Sequence, residues 1–185
     1  AYNLLFTHRQ VVYLFGTIAC VVYVLDQVRV HYPEVLQRAP RIGEIFFRAE
    51  EQVRESAMVP YAIAILLTIL TFPKPAALIA IYTLAIADPL SAMIGITWGR
   101  RHLVPEKSVE GSAAFLLAAF GCAAVVLFTS TEVSAGRGVA VSFVIGVLAA
   151  TLEMLPLRID DNLTIPLFVG FVVWILCGVF GVPLA

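Results

Sequence analysis

Apolar residues in this chain come in long unbroken runs, without the alternation of a half-buried strand. Six runs stand out, at roughly 11–28, 57–72, 76–98, 112–130, 138–155 and 163–182. A hydrocarbon layer about 30 Å thick is crossed by about 20 apolar residues in a helix. The second and fifth runs fall a little short of that, so their ends are the least defined. Inside lipid a backbone must satisfy its own hydrogen bonds, which leaves helices or closed barrels. The missing period-2 pattern excludes the barrel. The pattern therefore predicts an all-α, polytopic membrane protein with about six transmembrane helices, a single integral membrane domain over 1–185 with no separate soluble part.

Composition agrees. Of 185 residues, 61% are hydrophobic and 14% charged, too few polar groups to cover a soluble domain of this size. Cys20, Cys122 and Cys177 stand singly in apolar runs, where small packing residues are expected rather than a metal or disulfide. The net charge of −1 says nothing about nucleic acid by itself, and no nucleic-acid partner is expected. No charged-then-apolar leader with a small-residue cleavage site opens the chain. It begins without methionine just before its first run, which leaves room for a further helix upstream.

The distribution of charge is more informative than its sum. Arg29, Arg38, Arg41, Arg48, Arg54, Arg100, Arg101, Lys107 and Arg158 fall in or beside the first, third and fifth connections, against Arg9, Lys74 and Arg137 on the other side. That bias predicts that the first, third and fifth loops are cytoplasmic. Acidic residues gather on the same side, from Glu34 to Glu55, at Glu106 and Glu110, and at Asp160 and Asp161, with Asp26 and Glu153 close by. Charges of both signs on one face point to a working site there. The longest connection, "HYPEVLQRAPRIGEIFFRAEEQVRES", places Ile42, Ile45, Phe46 and Val53 at roughly helical spacing. It reads as an amphipathic helix on the membrane surface, with Arg48–Glu51 and Glu50–Arg54 as pairs on its polar side.

The third run contains "IADPLSAMIG", with Asp88 and Pro89 at its centre. Proline disfavours α geometry in the residue before it, and aspartate is a good N-cap. The expectation is two half-helices, 76–87 and 89–98, broken at Asp88-Pro89 near mid-membrane. An ionisable group at that depth marks a functional site by default, and its plain structural alternative is a helix cap or a buried ion pair. Beyond it, "WGRRHLVPEKSVEGSAAF" supplies Arg100, Arg101 and Lys107. Ser108, Glu110, Gly111 and Ser112 follow, where backbone can approach an anion at a helix start. Further on, "LRIDDNLTIP" puts Asp160, Asp161 and Asn162 in a row, oxygen ligands of the kind Mg²⁺ takes. A cap needs only one of the three.

Together these parts make a physical proposal: a divalent cation neutralises a polyphosphate, a basic loop holds it, and an acid activates a hydroxyl arriving from the bilayer. Phosphoryl transfer is mostly positioning and charge stabilisation, so the parts suffice in kind. A small secondary transporter is the reading from another class, since broken helices and mid-membrane acids serve transporters too. No second Asp-Pro break appears in the fifth or sixth run, and the polar groups crowd one face. Gly95 and Gly99, at small-xxx-small spacing, allow close helix approach within the chain or across a homodimer.

"ADPLSAMIGITWGRRHLVPEKSVEGS" resembles the GD-x-x-A…G…G(R/K)…KS-x-EGS signature of the CTP-dependent lipid kinases: dolichol kinase, phytol kinase and the CTP-using diacylglycerol kinase. "LEMLPLRIDDNLTIPL" is similar to their downstream E…DDNLTIPL segment, and "FFRAEE" loosely to their R-x-x-E stretch. In pieces the resemblance spans 48–167. It implies a kinase that takes CTP as co-substrate with Mg²⁺ and phosphorylates the hydroxyl of a membrane lipid alcohol. It also implies a nucleotide–metal site built from Asp88, Lys107, Ser108, Glu110, Gly111, Asp160, Asp161 and Asn162. Within it, Asp88, Lys107 and Asp160 are read as catalytic. Asp88, Asp161 and Asn162 are read as metal ligands, and Arg100, Arg101, Lys107, Ser108, Glu110 and Gly111 as nucleotide-binding. Ala87 replaces the family's usual glycine, Pro89 follows the aspartate directly, and the upstream RK…H helix is reduced to His8-Arg9. Phosphatidate cytidylyltransferase shares a K-(S/T)-x-EG-like stretch but attacks the α-phosphorus of CTP. Its late Gly/His-rich Asp-x-x-Asp segment is absent here, which favours the kinase.

Overall fold

The computed structural model describes residues 7–32, 58–104, 107–155 and 160–184. The expected interfacial helix of the first connection, with its Arg48–Glu51 and Glu50–Arg54 pairs, lies outside the described residues, as does Arg158. The chain divides into two compact units, Ala1–Leu66 and Leu67–Ala185. In the first, α1 (His8–His31) starts on a capping box in which Thr7 and Gln10 satisfy each other's backbone N–H. One turn before its end Asp26 and Arg29 form a buried ion pair of 2.6 Å. Helix α2 (Met58–Thr71) begins in this unit and crosses the division at Leu66.

The second unit contains the rest. A 25-residue helical stretch comprises α3 (Lys74–Tyr82), a π turn at Thr83–Ala87 and α4 (Asp88–Trp98). A short antiparallel hairpin, β1 (His102–Val104) with β2 (Lys107–Ser108), leads into α5 (Val109–Ser130). Helices α6 (Ala135–Met154) and α7 (Asp161–Val179) complete it. Caps set the boundaries. Ser108 Oγ accepts from Gly111 N–H at the start of α5, and an Asp160 carboxylate oxygen accepts from Asn162 N–H at the start of α7. Gly181, at φ +61°, ends α7 in a left-handed turn, with Val182 N–H bonded to the Cys177 carbonyl at 2.8 Å.

Helix α5 packs against both α4 and α6, and α7 lies against α3 and α6. Phe115, Ile79, Leu84, Leu127 and Ile145 are completely or almost completely buried between them. In lipid such packing is driven by close van der Waals fit, so small residues at crossings matter. A Cβ on Gly146 would stand 3.0 Å from the Leu116 carbonyl of α5, and one on Gly170 2.6 Å from the Phe72 ring. Cys177 is buried in this core as expected, whereas Cys20 lies exposed on α1.

The all-α expectation holds apart from the hairpin. Five helices, α1, the α3–α4 stretch, α5, α6 and α7, are long and apolar enough to cross a membrane, which makes this a multi-pass membrane protein by length and composition. Helix α2, at 14 described residues, is shorter than a span. The expected break at Asp88-Pro89 is corrected. Asp88 keeps helical geometry, φ −64° and ψ −51°, and caps nothing with its side chain. The chain instead widens one turn earlier, where Asp88 N–H reaches back five residues to the Thr83 carbonyl. A π turn ending just before a proline absorbs the missing N–H and the ring's bulk without parting the helix.

Candidate functional site

One end of the second unit gathers what the sequence scatters over more than 70 residues. The end of α4, the hairpin, the start of α5, the last turn of α6 and the start of α7 meet there. At this meeting point lies a cleft of about 490 Å³. Asp88, Ser91, Gly95 and Gly99 line it from the α4 side, and Ser108, Gly111 and Ser112 from α5. Lys107 and Glu153 close it.

Three glycines of the lining, Gly95, Gly99 and Gly111, let α4 and the start of α5 approach closely. Gly111 meets α4 so closely that a Cβ would stand 3.0 Å from the Ser91 carbonyl and 3.3 Å from Gly95 Cα. A Cβ on Gly99 would fall 2.8 Å from Ser108 Oγ. The Gly95/Gly99 pair thus serves a crossing inside this chain.

Lys107 is the hub. Its ammonium donates to Glu153 at 2.8 Å and to Asp161 at 3.2 Å, joining β2, α6 and α7. Burial alone would lower its pKa. The hydrogen bond and charge of Glu153, then the charge and hydrogen bond of Asp161, outweigh burial and raise it above the ordinary lysine value, so Lys107 is cationic. Glu153, with a side chain 3% exposed, also accepts from Ser91 Oγ at 3.4 Å and Ser112 Oγ at 3.3 Å. Asp88 sits three turns before the end of α4, roughly 15 Å in at 1.5 Å per residue. Its carboxylate lines the cleft and makes no hydrogen bond or ion pair among the described residues.

The other expected residues have different surroundings. Glu110 accepts the backbone N–H groups of Arg100, at 3.2 Å, and Arg101, at 3.4 Å, and so fixes the turn leaving α4. Arg100 and Arg101 are exposed and do not line the cleft. Asp160 caps α7 from an exposed position, and Asn162 follows it half-buried. The start of α5 is less open to an anion than its sequence implies. Val109 N–H already bonds the Arg101 carbonyl at 2.8 Å, and Gly111 N–H bonds Ser108.

Glu153, Ser91 and Ser112 were not singled out as site residues in the sequence. For Glu153 there was a signal: an acid in the closing turn of an otherwise apolar helix, on the charge-rich side. The two serines gave none, since small hydroxyl residues are ordinary in membrane helices.

The donor set suits a hard cation, being oxygen alone. Among the described residues no three His, Cys, Asp or Glu side chains come together as a cage. Mg²⁺ needs none, since it takes one or two carboxylates and completes its shell with phosphate oxygens and water. Glu153 and Asp161 set two carboxylates against the Lys107 ammonium, and Asp88 lines the same cleft as Lys107 and Glu153.

No protein-family model matches the chain, and neither does any curated protein or solved structure.

Proposed function

We propose that this protein is a CTP-dependent lipid kinase, transferring the γ-phosphoryl group of CTP to the hydroxyl of a membrane lipid alcohol of the polyprenol, phytol or diacylglycerol type. The observation that carries the reading is the cleft in which the Lys107 ammonium, held by carboxylates from two helices, shares a lining with Asp88, whose carboxylate makes no hydrogen bond or ion pair among the described residues. The motif resemblance supplies the nucleotide and the lipid. In the same reading the chain crosses the membrane six times, and the cleft opens on the cytoplasmic side. That orientation rests on the bias of basic residues.

In this mechanism Lys107 binds phosphate oxygens and stabilises charge on the transferring group. Asp88 accepts the proton of the lipid hydroxyl as its oxygen attacks the γ-phosphorus. The bond from γ-phosphorus to the β–γ bridging oxygen breaks, and CDP leaves with that oxygen's electron pair. Asp161, with Asn162, would hold Mg²⁺, which would supply positive charge against the polyphosphate; Asp88 would join that ligand set only in place of its role as base. Glu110 keeps the α4–α5 turn in shape, so Arg100 and Arg101 stand beside the nucleotide's path. Asp160 orients Asp161 by capping the helix that both begin.

The test is incubation of the purified protein with γ-labelled CTP, Mg²⁺ and mixed micelles of polyprenol, phytol or diacylglycerol. Label is expected in the lipid phase with CDP formed in step. Label that stays in CTP for every alcohol overturns the kinase. Pyrophosphate release with a phosphatidic acceptor identifies a cytidylyltransferase, and ion flux in liposomes without nucleotide identifies a transporter.

A further inference from the structure

We infer that Glu153 is the positioning residue of this cleft, anchoring the Lys107 ammonium, while Asp161 is the partner that Lys107 gives up when a phosphate ligand arrives. The inference deepens the kinase reading and rests on it for the ligand, CTP.

The two carboxylates around Lys107 are not equivalent. Glu153 is 3% exposed and receives three donors from three elements: Lys107 of β2, Ser91 of α4 and Ser112 of α5. Asp161 is 41% exposed, and among the described residues its side chain is bonded to Lys107 alone. Helix polarity deepens the contrast. Glu153 stands in the last turn of α6, where the carbonyl end of the helix disfavours a carboxylate. Lys107 and the two serines are the donors that offset that helix end. Asp161 opens α7, where the N–H end favours a carboxylate, so it tolerates the loss of Lys107.

Lysine is a flexible four-carbon stem ending in a point charge, and only a fixed counter-charge gives that ammonium one location. A structural pair would be a poor reason to keep Glu153, because apolar residues of equal volume stabilise a buried position as well or better. Glu153 touches neither nucleotide nor hydroxyl in this scheme. It acts through Lys107.

The chain has only two lysines, Lys74 and Lys107, which allows a direct readout. The full chain in detergent micelles is ¹³C-dimethylated on its amines, and the Lys107 methyl signal is assigned by its loss in Lys107→Met. In Glu153→Gln that signal is expected to collapse to the position of free dimethyl-lysine, whereas in Asp161→Asn it stays. In parallel, the KM for CTP rises about 10-fold and kcat/KM falls about 100-fold in Glu153→Gln, the scale of a misplaced binding group. Lys107→Met is equally impaired with or without Glu153→Gln. Should Glu153→Gln not fold, the Ser91→Ala/Ser112→Ala pair keeps the charges while loosening the anchor, and is expected to shift the same signal part of the way. An unmoved Lys107 signal, or losses that add in the double variant, overturns the inference. A collapsed signal in a protein whose native form never labels lipid overturns the kinase reading and leaves the positioning intact.

Discussion

The two ends of the second unit carry similar residues and use them differently. At the far end of α5, Thr129, Ser130, Thr131 and Glu132 line, with Pro183, a hollow of about 480 Å³, nearly the size of the cleft at the other end. There the threonines turn back on their own helix, Thr129 Oγ1 donating to the Val125 carbonyl and Thr131 Oγ1 to Leu127, each at 2.6 Å. At the cleft the hydroxyls of Ser91 and Ser112 reach across to Glu153 of another helix. Size does not distinguish the two hollows. What distinguishes them is whether polar groups are satisfied locally, as helices in lipid do at little cost, or tie together residues 46 and 54 apart around one cation.

That contrast is broken most sharply by Lys107→Met. It removes the only cation lining the cleft among the described residues and leaves Glu153 buried without its ammonium partner. Phosphoryl transfer is expected to fall at least about 1000-fold, and stability by about 3–5 kcal/mol, the usual consequence of orphaning a buried charge. Denaturant unfolding in detergent beside a labelled-CTP assay checks both. Asp88→Asn keeps the shape of the cleft and takes away the proton acceptor, so kcat drops about 10²–10⁴-fold with little change in unfolding. Unchanged kcat would remove Asp88 from the chemistry.

Two glycines of α5, one at the cleft and one midway along the helix, respond oppositely. Gly111→Ala forces a Cβ onto the Ser91 carbonyl and destabilises by about 1–3 kcal/mol. Gly121→Ala, in the same helix with nothing within 4 Å of the added carbon, stabilises by about 0.5–1 kcal/mol.

Alkali sharpens the comparison further. The folded pKa of Lys107 is raised above 10.5, so its contribution to stability is whole below the ordinary lysine value and disappears as the pH climbs through the raised one. Thermal midpoints of the native protein should fall above about pH 10.5 more steeply than those of Lys107→Met. The smallest effect is expected from Glu132→Gln at the far end, with activity unchanged and stability within about 0.5 kcal/mol.

Individual residues show how far the chain's letters reach. Asp88, Lys107 and Asp161 announced themselves, because ionisable groups in or beside apolar runs are expensive and therefore few. Their convergence on one cleft is a matter of packing. The Asp-Pro pair was misleading because the pre-proline rule is local. A helix held by neighbours on several sides keeps its direction and shifts the distortion one turn upstream, into Thr83–Ala87. Arg100 and Arg101 looked like phosphate ligands by charge alone. Their backbone N–H groups are held by Glu110, and neither side chain is part of the cleft's lining.

Length and period of the apolar runs marked out the five long helices and their approximate ends, since each follows from near neighbours and from the demand that backbone in lipid be self-satisfied. Folding alone decided that a glutamate 46 residues from Lys107 would become its closest partner. It also decided that two glycines would face a serine within the same chain, and that a proline would be absorbed by a π turn. Those outcomes depend on which helix faces come to lie against each other, and no local stretch of sequence carries that information.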